Sequence, residues 1–508
     1  MAGQGKHERV DDKKLKEVVY IMKKAAAIIL SVVLLVFPAP VTAMNTSSTA
    51  SMTLVPNGPI SNKIKAEIRV GVYNDNTAGN YTVNLSLTQN GVIQNLTPIT
   101  KHVGAQSNEL FNVFVDTSAL SGVYTVSAVV SKSGNTIAQL SDTMTVIETS
   151  STNRAVPLVT TAFIDPGAFV DGVYASQRVP TQQDVRDEID ALNATGIKTV
   201  ILTYAEYVLN GWGAFYPSQI DELTDQVTLV GNTAPTVLVE PVNFDFLGTV
   251  LEQAELNGQK VFIGIGRGTD AWITFDTRAW LRPESQSALN PVYLQEHVDF
   301  AKEVTDEIYS LYKDYDSFYG WYISHECQDI TWANYFYNPV ADYMHAISPE
   351  KPVLVSPAAV TPWLIVNQMR AALSDSSADI FSYQDSVGAG YDETTFTYTY
   401  NPQIRINQMD AMYQKYLTEH QNTTKNKHFW ANIEAWEMAG PAYTNAYAAA
   451  YSRYKQQLDI VSKYVDSVSS YESGGFLESP ASTVKLGGQP AVDLYTNYKN
   501  YYEGFIGN

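Results

Sequence analysis

In the second part of the chain, most candidate strands end in an acidic residue. Seven of eight such ends carry an acid, and the fifth ends in Ser356-Pro357. Many acids at such positions only cap the following helix. Two that face one cavity can cleave a glycosidic bond: one protonates the leaving oxygen, and the other attacks the anomeric carbon or activates water. The seven acids are Asp165, Glu206, Asp270, Glu326, Asp385, Glu434 and Glu478.

The elements that must position these acids alternate between strand and helix beyond Arg154. The candidate strands are 159–165, 198–204, 260–266, 318–326, 352–356, 379–385, 428–434 and 473–478. Amphipathic helices are expected at 181–195, 292–313, 401–419, 445–466 and 490–505. Eight such units over roughly 350 residues predict an α/β fold of the (β/α)8 TIM-barrel type at 155–508, because a doubly wound sheet rarely reaches eight units in this order. The acids would then meet at the carboxyl-terminal face.

Side-chain alternation selects two of these acids. In FYGWYISHE, Tyr319, Trp321 and Ile323 are large and apolar, so they are expected to face the helices and leave Glu326 at the barrel axis. The same alternation in HFWANIEAWE directs Glu434 inward. Glu326 and Glu434 are therefore predicted to line one cavity.

The two glutamates need different pKa values to act as acid and nucleophile. Glu326 lies among aromatic residues, and an apolar setting would raise its pKa towards that of a general acid. Glu434 is expected to stay ionised if Asn432, Gln384 or Tyr383 donates a hydrogen bond to it. Alternation turns Gln384 inward.

Asp385, by the same alternation, faces sideways and is a second-rank candidate. His325 is expected either to orient Glu326 and contact substrate or to be an ordinary histidine of the rim.

The arrangement of an acid on the fourth strand and a nucleophile on the seventh resembles the retaining glycoside hydrolases of clan A, which are TIM barrels. In those enzymes Asn precedes the acid, whereas His325 precedes Glu326 here, which leaves open the residue that holds the sugar 2-hydroxyl. The segments FYGWYISHE, VLVSP, DIFSYQDSVG and FWANIEAWE are also similar to an uncharacterised family of secreted TIM-barrel proteins grouped with glycoside hydrolases, over about residues 155–485.

That resemblance implies a fold and a reaction class but no substrate. It implies Glu326 and Glu434 as the catalytic pair and places Gln384 and Asp385 in a site of undefined role.

Tryptophans supply a second indication of carbohydrate binding. All eight lie between 211 and 437, and several follow a strand end. Sugar rings stack on indoles, although ordinary packing is the alternative. Trp272, Trp332 and Trp436 are the main candidates for substrate contact, with Asp165 and Glu206 as polar candidates at other strand ends.

Composition excludes several function classes. The 508 residues are 45% hydrophobic and 17% charged, with net charge -20 and no basic run, so nucleic-acid binding is not expected. A single cysteine excludes sites built from several thiolates, and the seven histidines show no metal-ligand spacing. We expect no metal and no cofactor.

The N-terminal region contains an export signal and a small β domain. In residues 1–43, Lys23 and Lys24 precede an apolar run of about 13 residues and a small-residue exit. This order is typical of a signal peptide, and the run is short of the roughly 20 residues of a membrane anchor. Residues 51–149 alternate with period two between turn signals and predict an immunoglobulin-like sandwich. We interpret it as a spacer or docking domain rather than a sugar-binding module.

These features together predict a secreted or cell-surface retaining glycoside hydrolase that acts on an extracellular polysaccharide or glycan. Two alternatives remain: an inverting hydrolase, and a non-catalytic barrel that binds carbohydrate or serves in surface assembly. The distance between the carboxyl groups of Glu326 and Glu434 would distinguish these functions. About 5 to 5.5 Å favours a retaining hydrolase, and about 6.5 to 9.5 Å favours an inverting one. Oligomeric state, sugar and linkage stay open.

Overall fold

The computed structural model of the protein describes residues 48–166, 181–206, 213–220, 223, 229–230, 238–239, 244–265, 291–326, 330–358, 362–441, 446–482 and 487–507. All of them belong to one compact unit, Ser48–Asn508.

Two separate sheets occupy the N-terminal part. Strands β1, β3 and β7 form one antiparallel sheet, and the other has the order β2-β9-β8-β4-β5 with β6 paired to β4. The second sheet is antiparallel except between β2 and β9. Alternating apolar residues, as in Tyr81, Val83, Leu85 and Leu87, fill the core between strands. The strands are β1 (Ser48–Val55), β2 (Pro59–Ser61), β3 (Lys65–Asn74), β4 (Gly79–Gln89), β5 (Val92–Asn95), β6 (Ile99–Val103), β7 (Ser107–Asp116), β8 (Gly122–Lys132) and β9 (Asn135–Ile147).

A closed barrel of eight parallel strands follows, in the order β10-β11-β14-β15-β16-β17-β20-β23. Three short two-stranded sheets, β12–β13, β18–β19 and β21–β22, lie outside it. The strands are β10 (Thr161–Ile164), β11 (Thr199–Leu202), β12 (Leu229–Val230), β13 (Leu238–Val239), β14 (Lys260–Ile265), β15 (Phe318–Ile323), β16 (Val353–Val355), β17 (Ile380–Gln384), β18 (Tyr391–Asp392), β19 (Thr397–Tyr398), β20 (His428–Glu434), β21 (Trp436–Met438), β22 (Ala446–Ala448) and β23 (Ser467–Tyr471).

Helices alternate with the barrel strands and cover their outer faces. Local sequence fixes several of their starts: the Thr181 hydroxyl and the Asp184 carboxylate form a capping box, and Asn401 caps the helix that begins at Pro402. The helices are α1 (Gln182–Asn193), α2 (Phe246–Leu256), α3 (Pro291–Tyr312), α4 (Ile330–Ile347), α5 (Pro362–Asp375), α6 (Pro402–Gln421), α7 (Tyr451–Val461) and α8 (Gly488–Ile506). Within the described residues, no helix has the length and apolar character needed to span a bilayer.

The interior of the barrel is apolar towards the amino-terminal ends of its strands, where the N-terminal region closes it. Seven inward side chains from the barrel strands form one cluster with Tyr319 and with Val55 from the end of β1, which is fully buried. The hydroxyl of Tyr319 donates to the carbonyl oxygen of Leu54 at 2.6 Å. The barrel and the N-terminal sheets therefore share buried contacts. The seven side chains are Phe163, Ile201, Phe262, Tyr322, Leu354, Ile380 and Trp430.

Seven of the eight barrel strands overlap the segments expected from sequence, but the eighth prediction is wrong. The strand is Ser467–Tyr471, and residues 474–476 form a turn. The inner positions of this strand carry serines, so it lacks the apolar alternation that marks the others. Glu478 is therefore not at a strand end.

The orientation expected for Tyr319 is also wrong. Trp321 and Ile323 do pack against the helices, but Tyr319 lies in the interior cluster. The register between β14 and β15 shifts at this point, from Val261 opposite Phe318 to Phe262 opposite Gly320. Such a bulge reverses the alternation on one side of it.

Candidate active site

Glu326 and Glu434 lie at the same end of the barrel. Because all eight strands are parallel, their carboxyl-terminal ends form one rim. Glu434 is the last residue of β20, and Glu326 follows Ile323, the last residue of β15, by three positions; β16 and β17 separate the two strands. Glu434 is buried and only 5% exposed, whereas Glu326 is half-buried. The rim thus carries both acids in different environments.

A polar layer lies inside the barrel just below this rim. The amide of Asn432 donates to the hydroxyl of Ser356 at 3.2 Å, and the hydroxyls of Ser382 and Ser469 are 2.8 Å apart. Each pair joins strands that are not neighbours, so all four side chains point to the interior. Asn432 is two positions before Glu434, so the inner face becomes polar as it approaches the rim.

Gly388, in the loop after β17, approaches the carboxylate of Glu434 most closely through its backbone. Its N–H donates to Oε2 of Glu434 at 2.5 Å. A Cβ at this position would lie 2.3 Å from the carbonyl oxygen of Trp436 and 3.0 Å from Oε2 of Glu434. Glycine is therefore required by the close approach of the backbone rather than by an unusual φ angle.

Asp385 lies beside Glu434 but points towards helix α7. Its carboxylate accepts hydrogen bonds from Nε2 of Gln457 at 2.5 Å, from the amide of Val387 at 3.1 Å and from the amide of Glu434 at 3.4 Å. The side chain is fully buried. Its expected role in substrate contact is not supported, because the carboxylate is enclosed by protein. Asp385 instead positions the end of β20.

Burial raises the pKa of both acids, but by different amounts. Burial, and next the charge of Asp385, raises the pKa of Glu434 to about 8, against the opposing effect of the Gly388 amide. Burial also raises the pKa of Asp385, to about 6, but the hydrogen bonds from Gln457 and Val387 oppose it. The pKa of Glu434 is thus raised further than that of Asp385, whose hydrogen bonds from Gln457 and Val387 favour the carboxylate. Burial and the charge of Asp385 therefore oppose the ionisation expected for Glu434, which stays a prediction.

Two buried arginines support the backbone around the pair. Nη2 of Arg453 donates to the carbonyl oxygens of Glu434 at 3.1 Å and of Trp436 at 2.8 Å. Nε of Arg405 donates to the carbonyl oxygen of Asp385 at 2.6 Å. Both guanidinium groups are thus hydrogen-bonded to main-chain oxygens beside the carboxylates.

Two other predicted site residues face the helices. The ring of Tyr383 is fully buried and stacks on Tyr416 at 4.6 Å, with its hydroxyl 3.2 Å from Nε2 of His420, so Tyr383 lies outside the barrel wall and cannot donate to Glu434. His325 is 2% exposed and its ring is 4.3 Å from that of Phe336 in α4. It is a packed residue rather than an exposed residue of the rim.

The remaining described candidates differ in access. Asp165 is half-buried and accepts hydrogen bonds from the hydroxyls of Tyr204 and, at 3.4 Å, of Tyr471. Gln384 is half-buried, and its amide donates to the carbonyl oxygen of Ser356 at 3.3 Å. Both lie at carboxyl-terminal strand ends and are partly exposed. Glu206 is fully buried, so its predicted contact with substrate is not supported.

Trp436 is 5% exposed and lies directly beside Gly388. Trp272 and Asp270, together with the side chain of Trp332, lie outside the described residues. Among the described residues, no group of three or more His, Cys, Asp and Glu side chains is arranged to hold a metal ion.

A cavity of about 900 Å³ is present at the opposite end of the barrel. Its walls include Lys260 and Phe318, the first residues of β14 and β15, together with Leu54 of β1 and the buried pair Glu350 and Lys351. The cavity is therefore distinct from the rim that carries Glu326 and Glu434.

A sequence-family model matches residues 166–484, which is more than half of the chain. The chain belongs to the DUF4434 family. That family is described as a domain of unknown function, so membership does not itself assign a reaction. The DUF4434 match covers most of the barrel, including Glu326 and Glu434. No curated protein matches the sequence.

Solved structures similar to this DUF4434 protein include glycoside hydrolases. A Bacteroides uniformis beta-glucuronidase is 11% identical with a TM-score of 0.38, over 90% of this chain and 50% of that chain. A second structure of a beta-glucuronidase from that organism, with a covalently bound aziridine, has 10% identity and a TM-score of 0.35, over 84% and 45%. A Paenibacillus cycloisomaltooligosaccharide glucanotransferase has 9% identity and a TM-score of 0.33, over 74% and 52%. The chain spans about half the length of these structures, and a likeness of this degree does not transfer an activity.

The sequence did not identify three residues that contact Glu434 or Asp385 in this DUF4434 protein: Gly388, Arg453 and Gln457. The glycine lies in the segment SVGAG directly after the sixth strand, and its small residues were a signal for close backbone approach. Arg453 and Gln457 lie on α7, about 70 positions after Asp385. No local pattern links them to it, so only the folded barrel identifies them.

Proposed function

We propose that the protein is a glycoside hydrolase with Glu326 and Glu434 as its catalytic pair. The observation that supports this most is the position of both acids at one rim of the parallel barrel, above an interior that turns polar at Asn432. Cleavage of a glycosidic bond needs two carboxyl groups in different environments, and these two differ in burial.

We propose a retaining reaction. Glu434 attacks the anomeric carbon while Glu326 gives its proton to the leaving oxygen, which releases the first sugar product and leaves a glycosyl ester on Glu434. Glu326 then takes a proton from water as the water oxygen attacks the same carbon. The second sugar leaves with retained configuration, Glu434 is released as a carboxylate and Glu326 regains its proton.

This assignment has a consequence for pH, because Glu434 must be ionised to attack. Burial and the charge of Asp385 raise the pKa of Glu434 to about 8. The ionised fraction of Glu434 therefore grows as pH rises towards 8, and the rate should rise with it over the range in which Glu326 keeps its proton.

The raised pKa of Glu434 also favours a second assignment, in which the roles are exchanged and Glu434 is the proton donor. In that case activity would fall as pH rises through about 8, since the protonated form is the active one. The direction of the pH dependence therefore separates the two assignments.

The test is the release of reducing ends from a panel of polysaccharides by the full chain. We expect hydrolysis of at least one polymer and a loss of at least about 10³-fold in the variants Glu326→Gln and Glu434→Gln. Glu109→Gln, in an exposed pair with Lys101 on the N-terminal sheets, is the control and should retain full activity. Binding of a polysaccharide without hydrolysis by the wild type would instead support the non-catalytic carbohydrate-binding or surface-assembly role.

We further propose that the barrel is of the TIM type, that the N-terminal sheets are an immunoglobulin-like sandwich, and that residues 1–43 direct export to the cell surface or medium. The apolar run before a small-residue exit supports the export signal. N-terminal sequencing of protein recovered from the medium should begin at Met44; intact residues 1–43 would contradict the signal.

A further inference from the structure

Two β-hairpins rise from adjacent barrel strands next to Glu434. One contains β18 and β19 and follows β17; the other contains β21 and β22 and follows β20. The amide of Met438, in the second hairpin, donates to the carbonyl oxygen of Gly388 at 3.0 Å. The N–H of Gly388 in turn donates to the carboxylate of Glu434. The bases of both hairpins are thus joined directly beside the proposed nucleophile.

Each hairpin exposes large aromatic side chains. Phe396 is 41% exposed and Tyr398 is 48% exposed on the first hairpin, and Tyr447 is 46% exposed on the second. The ring of Tyr398 lies 5.2 Å from that of Tyr391, which is buried and supports it from below. Exposed aromatic rings beside a site are suited to the apolar faces of sugar rings.

Two aromatic residues of the first hairpin have a backbone conformation that is sterically unfavourable for their side chains. Phe396 has φ of 59° and Tyr400 has φ of 55°. Bulky residues rarely adopt this left-handed region, and glycine would do so without steric cost. Two backbone hydrogen bonds hold this conformation. The amide of Phe396 donates to the carbonyl oxygen of Asp392, and the amide of Tyr400 donates to the carbonyl oxygen of Ala389. An aromatic residue at a position where glycine would cost less is therefore a candidate for a functional side chain.

The charges around the hairpins favour a neutral ligand. The two nearby guanidinium groups face acids: Nε of Arg453 lies 3.4 Å from Glu437, and Nη1 of Arg405 lies 3.7 Å from Glu393. Hydrogen bonds from Thr394 lower the pKa of Asp392 to about 2, so this residue stays negative. A polymer of acidic sugars would be repelled here.

We propose that Phe396, Tyr398 and Tyr447 form a binding surface for a neutral polysaccharide chain that extends beyond the sugar cleaved at Glu434. This inference rests on the proposed function for the identity of the site, but it concerns binding rather than cleavage. The substrate class would then be a polymer of uncharged sugars, held along several residues, rather than a single terminal sugar or a uronic-acid polymer.

The test is affinity electrophoresis of the full-length Glu434→Gln variant through gels that contain mixed-linkage β-glucan, galactomannan, xyloglucan or polygalacturonate. We expect retardation by at least one neutral polymer and none by polygalacturonate. We then add either the pair Phe396→Ala and Tyr398→Ala or the single change Tyr447→Ala to the Glu434→Gln variant. Each addition should weaken binding of the polymer about tenfold. The control, Val92→Ala with Ile93→Ala, removes exposed apolar side chains from strand β5 and should leave binding unchanged.

Phe396→Gly separates a functional aromatic residue from a structural one. Because glycine accepts the left-handed backbone, this variant should unfold at the same or a higher temperature than the parent and still bind about as weakly as the alanine variants. A lower unfolding temperature with unchanged binding would overturn the inference, as would retardation only by polygalacturonate or by no polymer.

The two proposals fail in different ways. If Glu434→Gln abolishes hydrolysis but the aromatic variants bind as the control does, the binding surface is wrong and the catalytic pair stands. If the wild type hydrolyses nothing while binding depends on Phe396 and Tyr447, the surface stands and the glycoside hydrolase assignment is wrong.

Discussion

The backbone amide of Glu434 donates a hydrogen bond to Oδ1 of Asp385 at 3.4 Å, so that the carboxylate of one buried acid lies against the backbone of another. Burial raises the pKa of both groups, and the charge of Asp385 adds to the rise for Glu434. Attack by Glu434 therefore depends on the loss of a proton that Asp385 helps to retain.

Asp385→Asn should make Glu434 easier to ionise. Removing the neighbouring negative charge removes one of the causes that raise the pKa of Glu434, so the rising limb of kcat/KM should move to lower pH than in the wild type. The measurement is a pH profile of both proteins on the same substrate. Asp410→Asn, at an exposed ion pair with Lys463, is the control and should keep the wild-type limb. A limb that stays in place or moves upward would show that Asp385 does not control this ionisation.

Gly388→Ala should damage the site sterically. The added Cβ would approach the carbonyl oxygen of Trp436 to 2.3 Å, which backbone atoms cannot accommodate without moving. We expect a loss of about 1–3 kcal/mol in the free energy of unfolding, as for overpacked sites, together with reduced kcat. Denaturant unfolding and steady-state kinetics provide the measurements.

Gly504→Ala is the matched control for this change, because nothing lies within 4 Å of its added Cβ on α8. It should be neutral or stabilising by up to about 1 kcal/mol. Equal effects of the two substitutions would contradict the steric account of Gly388.

Arg69→Met should weaken the attachment of the N-terminal sheets to the barrel. Arg69 is 2% exposed, and its Nη1 lies 3.1 Å both from Glu67 and from Asp379 of the barrel, while Nε donates to the carbonyl oxygen of Glu350. Loss of one partner from a buried ion pair costs about 3–5 kcal/mol, because the remaining charges are left unpaired. Denaturant unfolding should show this loss.

Lys101→Met, in a largely exposed pair with Glu109, should change the free energy of unfolding by less than about 1 kcal/mol. If Arg69→Met lowers the free energy of unfolding by no more than this control, the contacts of Arg69 do not stabilise the attachment of the N-terminal sheets to the barrel.

Glu188→Gln should reduce the pH dependence of stability. Burial, and next the charge of Glu478, raises the pKa of Glu188 from 4.5 to about 8. The folded protein therefore holds a proton that the unfolded chain releases between these values, and stability falls as pH rises through that window. Glutamine stays neutral, so the difference in unfolding temperature between pH 5 and pH 9 should be smaller than in the wild type. Glu109→Gln serves as the control, and an unchanged difference in Glu188→Gln would refute the assignment.

Alternation and turn signals predicted most of the fold because they record which side chains are buried. They located seven barrel strands and turned Trp321 and Ile323 towards the helices. They failed at β23, where serines occupy inner positions, and at Tyr319, where a bulge reverses the alternation. The serines remove the apolar alternation on which the prediction depends, whereas the bulge leaves no mark in the hydrophobic pattern.

The candidate site was less accessible to sequence reasoning. The strand ends identified Glu326 and Glu434 as members of one rim, since parallel strands share their direction. The ionisation of Glu434 could not be predicted, because it depends on Asp385, Gln457 and Gly388, whose contacts form only in the closed barrel.

Trapping the covalent intermediate tests the central claim most directly. Glu326→Gln lacks the group that activates water, so with a dinitrophenyl glycoside, whose leaving group needs no proton, the glycosyl ester should accumulate. After an acid quench and proteolysis, mass spectrometry should find one added sugar on the peptide that contains Glu434. An adduct on another residue, or none while this glycoside is still hydrolysed, would contradict the role of Glu434 as nucleophile.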